Sequence, residues 1–161
     1  IVRKKIWIMV CICFLLVACG PGKIKADKKL VGTLNSTMDD QTLTSTIEIE
    51  YNSEDETPVK GVFKHKYDNL EKTETNNNIL ATFINRQTII EQLEGVEVSA
   101  DVTDTSFDFE EEWDYNVVDV NKALEADEDQ KNFIEDGKYS LTKMKNYYEN
   151  QGYSFEEKDL K

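Results

Sequence analysis

Three sets of residues in this chain of 161 have types and spacing that could do chemistry. The first is a thiol. Cys19 follows Leu16, Val17 and Ala18, and Gly20-Pro21-Gly22 follows it. A cysteine at the end of an apolar run, behind one small residue, is placed to receive a lipid at a membrane surface. The small residue opens the backbone to a peptidase cutting between Ala18 and Cys19. The second is a row of carboxylates, Asp108, Glu110, Glu112 and Asp114, at every second position. On a strand these share one face at a spacing of about 7 Å. Such a row attracts a basic protein or peptide, or loosely held cations; as a solvated face it would only keep an edge strand from aggregating. The third is His65, the single histidine. It falls between Phe63 and Tyr67 on the inward side of an alternating run, the place of a half-buried structural histidine.

Other chemistries lack their parts. Nucleophilic catalysis needs a base beside a nucleophile. Cys11 and Cys13 lie in the apolar run and would be lost with it, so the only remaining thiol is the anchored one. No glycine loop that cradles phosphate and no nucleophile elbow is present. The spacing Asp127-Glu128-Asp129 begins like a calcium loop, but Lys131 and Asn132 stand where a ligand and a glycine belong. The expectation is a non-enzyme with no catalytic residues, no metal site and no cofactor. Residues 30–161 carry 12 basic against 31 acidic side chains, which excludes nucleic acid as a partner because phosphate binding needs a basic face.

The elements that must position these groups begin with a leader. Arg3, Lys4 and Lys5 form a basic head, and Ile6 to Val17 is uncharged and apolar. As a helix that run spans about 18 Å, short of the ~30 Å bilayer core. Residues 1–18 therefore read as a signal peptide, and Leu16-Val17-Ala18-Cys19 resembles the lipobox of bacterial lipoproteins. Palmitate-type acyl chains on Cys19 would hold the protein to the cell membrane, two chains giving firm attachment. Residues 19–29 read as the lipidated cysteine and a flexible tether, with Lys23, Lys25, Lys28 and Lys29 drawn to anionic headgroups. Abundant Asn, Lys and Ile point to the surface of a low-GC Gram-positive cell.

Residues 30–161 read as a single α+β domain. Leu43 to Tyr51 alternates as a half-buried strand, NSEDETP turns the chain, and Val59 to Tyr67 alternates again. As a hairpin, this sets Lys60, Lys64 and Lys66 across from Glu48 and Glu50. A strand over 30–37 joins them. A helix follows, with caps among Asn76, Asn77 and Asn78 and a stop at Gly95. Val96 to Val102 and Phe107 to Val117 read as two further strands, the second interrupted at Glu111 by a bulge or strand end. Ser140 caps a last helix closed by Gly152, with Tyr153 packing on Tyr148 and a short final strand over 153–155.

Several stretches carry a resemblance: the lipobox, the paired strands over 42–67, "LEGVEVS" (93–99), "WDYNVVDVNKAL" (113–124) and "DGKYSLTKMKNYYENQGYSF" (136–155). In this order they resemble the YehR-like family of small bacterial lipoproteins, a group of unknown function. The resemblance implies an α+β fold, an antiparallel β-sheet built from hairpins with helices packed against it, and supplies no catalytic residues. The functional expectation is an extracytoplasmic, membrane-anchored binding or accessory module with an acidic surface. The alternative is an immunity-type lipoprotein that neutralises a basic secreted toxin.

Overall fold

The computed structural model describes residues 22–38 and 40–160. The signal peptide, Ala18 and Cys19 lie outside them. In chain order the elements are β1 (Lys28–Met38), β2 (Gln41–Asn52), β3 (Thr57–Asp68), α1 (Glu74–Ile90), β4 (Val96–Val102), β5 (Ser106–Asp114), α2 (Val120–Ala126), a 3-10 turn (Glu128–Phe133), the two-residue pair β6 (Ile134–Glu135) and β7 (Lys138–Tyr139), α3 (Leu141–Glu149) and β8 (Ser154–Asp159). Six strands form one sheet in the order β4-β5-β3-β2-β1-β8, with every neighbouring pair antiparallel. The fold is α+β, as expected.

Alternation decides which face is covered. Ile47 and Ile49 on β2 are fully buried, as are Phe107 and Phe109 on β5, with Trp113 close behind. Register aligns them across the sheet: Ile47 opposes Phe63, and Gly61 opposes both Ile49 and Trp113. The helices lie over this face, and Ile90, Ala123, Leu141 and Met144 close the core from their side. Each large apolar side chain so buried contributes about 1.5–3 kcal/mol. The hairpin holds one irregularity. Glu50 pairs with Lys60 and Tyr51 with Pro58, so Val59 is the extra residue of a bulge. Pro58, which has no N–H to give a ladder, is tolerated at such a place.

Two glycines show what the packing demands. Gly32 on β1 opposes Phe155 on β8, and a Cβ at Gly32 would sit 2.4 Å from that ring. The missing side chain lets the ring lie on the backbone. Gly95 has φ 85°, a left-handed turn into β4 rather than a helix stop.

Helix α1 begins earlier than expected. Thr73 is the cap, its Oγ1 accepting from the Asn76 N–H at 3.2 Å. At α3 the reading holds: the Lys143 N–H donates to Ser140 Oγ at 3.4 Å, Gly152 has φ 96°, and Tyr153 meets Tyr148 edge-on at 5.3 Å. Strand β5 stops at Asp114 instead of reaching Val117. Asp114 Oδ1 accepts from the Asn116 N–H at 3.0 Å and turns the chain. Asp119 then caps α2 by accepting from the Asn121 and Lys122 N–H groups.

The segment read as a flexible tether is docked over its described part, and β1 takes in its last two residues. Ile24 N–H donates to Asn116 Oδ1 at 3.0 Å, and Asn116 Nδ2 donates back to the Ile24 carbonyl at 3.1 Å. Asn52 Nδ2 donates to the Lys25 carbonyl at 3.0 Å, and Asp27 accepts from the Ser53 N–H at 2.7 Å. Lys28 pairs with Glu157 and Lys29 with Glu48, so those two charges are spent inside the domain. Among the described residues no helix is long and apolar enough to cross a membrane.

Candidate functional site

On β5 the inward positions are odd-numbered, so alternation carries Glu111 into the core between Phe109 and Trp113. Its side chain is only 6% exposed. No bulge or strand end marks it, since β5 runs in unbroken register past it to Trp113. The position is filled by a charge because Arg86, from α1, meets it there. Arg86 Nε donates to Glu111 Oε1, and Nη2 donates to Oε2 at 3.0 Å. This is the two-pronged geometry that guanidinium and carboxylate share. Arg86 Nη1 donates to Asp127 Oδ2 at 2.5 Å, joining the start of the 3-10 turn to the same cation.

The surrounding hydrogen bonds complete the network. Trp113 Nε1 donates to Glu111 Oε2 at 3.0 Å. Gln130 Nε2 donates to Asp127 Oδ2 at 3.0 Å, and the Tyr139 hydroxyl donates to Gln130 Oε1 at 3.2 Å. Burial works against the charge on Arg86, but the hydrogen bonds it donates to Glu111 and Asp127 outweigh this and hold the guanidinium firmly protonated. Burial also pushes the Asp127 carboxyl up, and Arg86 and Gln130 more than reverse this, leaving it below the usual carboxylate range. The geometry of the network is two carboxylate side chains around one guanidinium.

A cleft of about 210 Å³ opens over this network between the sheet and the C-terminal helices. Aromatic rings form much of its frame, with polar side chains between them. Phe133 stacks on Tyr148 at 5.6 Å and takes Tyr147 edge-on at 4.9 Å, and Trp113, Tyr115 and Tyr153 add further rings to the lining. Burial raises the Tyr115 and Tyr148 hydroxyls far above their ordinary range, so both are neutral donors. Asp129 is exposed at the rim.

His65 also lines the cleft. Its Nδ1 lies 2.8 Å from Ser45 Oγ, which lies 2.5 Å from the Tyr153 hydroxyl and donates to the Lys64 carbonyl at 3.2 Å. A hydroxyl with one proton and two lone pairs is satisfied when imidazole and phenol both donate to it. Ser45 has no exposed surface, so its hydroxyl is a strut between β2, β3 and the chain before β8 and is not open to the cleft. Burial lowers the His65 pKa. Among the described residues no three His, Cys, Asp or Glu side chains converge as metal ligands.

The carboxylate row sits on the opposite, solvent-facing side of the sheet. It is not a free acidic face. Lys60 lies 2.6 Å from Glu112, Lys64 lies 3.3 Å from Glu110, and Lys23 lies 3.7 Å from Asp114. Lys66 opposes Asp108 in register, though its close partner is Asp68 at 3.6 Å. The lysines of β3 therefore answer the acids of β5 on one side more than the glutamates of β2 on the other. Register decides this: on the β2 side only Lys60 faces a glutamate, Glu50, while Lys64 and Lys66 face Thr46 and Thr44, and on the β5 side all three face acids.

A domain-family model, described as "Domain of unknown function (DUF8824)", matches residues 20–161. The chain belongs to the DUF8824 family. No curated protein matches it. Two solved structures share the fold of this DUF8824 domain, each with a TM-score of 0.53. One is the NMR structure of a protein from Streptococcus pneumoniae TIGR4, at 17% identity over 85% of this chain and 88% of that one. The other is the NMR structure of the YehR protein of E. coli, at 15% identity over 81% of this chain and 93% of that one. The YehR-like resemblance read from the sequence stands, and at these identities it is a likeness of fold.

Sequence reasoning did not single out Arg86 in this DUF8824 domain. Its partners lie 25 and 41 residues away in the chain, beyond any helical or strand spacing. One signal was present. Glu111 is a charge at an inward position of a strand, and a buried carboxylate requires a cation.

Proposed function

We propose that this protein is a lipid-anchored, extracytoplasmic binding module whose ligand enters the cleft around Arg86. The observation that carries the reading is the pairing of aromatic walls with a charge network that keeps one negative charge in excess. Glu111 and Asp127 share one guanidinium, and Asp129 adds to the excess at the rim. Such a site favours a cationic group, which tyrosine and tryptophan faces also attract, and it disfavours an anion. A lysine or arginine side chain of a basic peptide or protein has the right chemistry. The anchor rests on the lipobox ending at Cys19, with attachment at the outer surface of a Gram-positive membrane.

Binding is favoured over catalysis by how the polar groups are used. Both carboxylates are engaged by Arg86, and the Ser45 hydroxyl is buried beneath His65 and Tyr153. The immunity-type alternative asks for a broad free acidic surface, and Lys60 and Lys64 remove much of that from β5.

With the leader cleaved, Trp113 is the one remaining indole, so selectively excited tryptophan fluorescence reports the cleft. Titration with a short oligolysine peptide should give a saturable change that weakens with salt. Asp129→Lys at the rim should weaken the affinity about tenfold, and Glu110→Lys on the outer face should leave it within about twofold. The reverse ranking would return the site to the β5 row.

A further inference from the structure

The chain ahead of β1 is fastened to one end of the sheet. Asn116 holds both the N–H and the carbonyl of Ile24, Asn52 holds the carbonyl of Lys25, and Ser53 gives two hydrogen bonds to the Asp27 carboxylate. These partners stand together at the β2–β3 turn and just past the end of β5. Cys19 stands four peptide steps from Lys23 in the chain. Whatever path they take, four peptide steps span at most about 14 Å. A tether loose to residue 29 would reach more than twice as far and permit any orientation.

We propose, resting on the reading of Cys19 as the lipidated residue, that the lipid surface is met by one end of the sheet: the β2–β3 turn faces the bilayer and the β4–β5 turn points away from it. Two observations act together. The leash is short and its attachment is confined to one end. The body is strongly acidic, and an anionic headgroup layer repels it within a Debye length of about 8 Å, which opposes lying flat. Three of the four lysines that could have drawn the domain down are paired with its own acids, Lys23 with Asp114, Lys28 with Glu157 and Lys29 with Glu48. A strand the length of β2 is about 35–40 Å long, so the two turns differ in height by that order. The cleft, on the helical face of the sheet, then opens sideways along the membrane rather than into it.

Energy transfer tests this on the full lipidated protein. Donor dyes are placed on Asp55→Cys in the β2–β3 turn and, separately, on Asp104→Cys in the β4–β5 turn. Both positions are exposed. The acceptor is a rhodamine headgroup in vesicles of phosphatidylglycerol and phosphatidylethanolamine. Transfer from residue 55 should exceed transfer from residue 104 several-fold, and Asn116→Ala with Asp27→Ala, which frees the leash, should shrink the difference. Equal transfer from protein that floats with the vesicles would overturn the orientation alone. Wild-type protein that fails to float, or floats no better than Cys19→Ser, would overturn the anchor and the orientation with it.

Discussion

Replacing Arg86 by methionine should be the most damaging single change at the cleft, and its size follows from what is left behind. Glu111 is 6% exposed and Asp127 15%, while Arg86 itself is 31% exposed. Without the guanidinium, Glu111 keeps the Trp113 indole N–H as its one partner among the described residues. Breaking a buried pair in this way costs about 3–5 kcal/mol. The open mouth of the cleft lets water reach the vacated position, which sets the value near the low end, about 3 kcal/mol. Glu111→Gln should cost less, about 1–2 kcal/mol, because Arg86 keeps Asp127 and some solvent. The double change Arg86→Met with Glu111→Leu removes the buried pair, leaves the more exposed Asp127 with Gln130, and should cost about 1 kcal/mol or less. Urea unfolding followed by circular dichroism measures all three. With a slope of about 2 kcal/mol per molar, Arg86→Met should lower the midpoint by about 1.5 M and the double variant should recover most of it. A shift for Arg86→Met under about 0.3 M, or a double variant no more stable than Arg86→Met alone, would refute the reasoning.

Three further outcomes are expected. Gly32→Val should cost about 1–3 kcal/mol by driving a side chain into the Phe155 ring, and limited proteolysis should then reach β8 first. Burial holds the His65 pKa below the ordinary value near 6.5, so as pH falls past that value the unfolded chain takes up a proton that the native one resists. The stability from neutral His65 is complete above about pH 6.5 and lost below it, and His65→Gln should flatten the slope of midpoint against pH between about 7 and 5. Lys60→Ala with Lys64→Ala breaks two exposed pairs and should change stability by no more than about 1 kcal/mol, checked in the same unfolding assay.

The parts of the fold legible in the sequence are those set by short-range pattern. Alternation over Leu43 to Tyr51 and over Val96 to Val102 marks β2 and β4, and Ser140 with Gly152 brackets α3, because caps and strand faces are decided within a few residues. The ends of α1 and β5 were not legible. Asn ranks above Thr as a cap by type, but Asn76 is buried with its Nδ2 donating to the Glu71 carbonyl, and Thr73 takes the cap. At Asp114 an Asx turn halted a strand whose apolar pattern continued through Tyr115 and Val117. The candidate site was least legible of all. The acid row was visible, but its neutralisation depends on β3 lying beside β5, a matter of sheet order. Arg86 joins Glu111 and Asp127 through packing of α1 on the sheet. The docked leash was read as flexible for the same reason, since Asn116 and Asn52 lie far from Ile24 and Lys25 in the chain.

The central claim is a binding domain leashed by lipid at Cys19, and intact-mass measurement of the protein extracted from its native membrane tests it most directly. The mature chain should begin at residue 19 and carry the added mass of a diacylglycerol on that cysteine. A chain that retains residues 1–18, or an unmodified Cys19 at its start, would contradict the account.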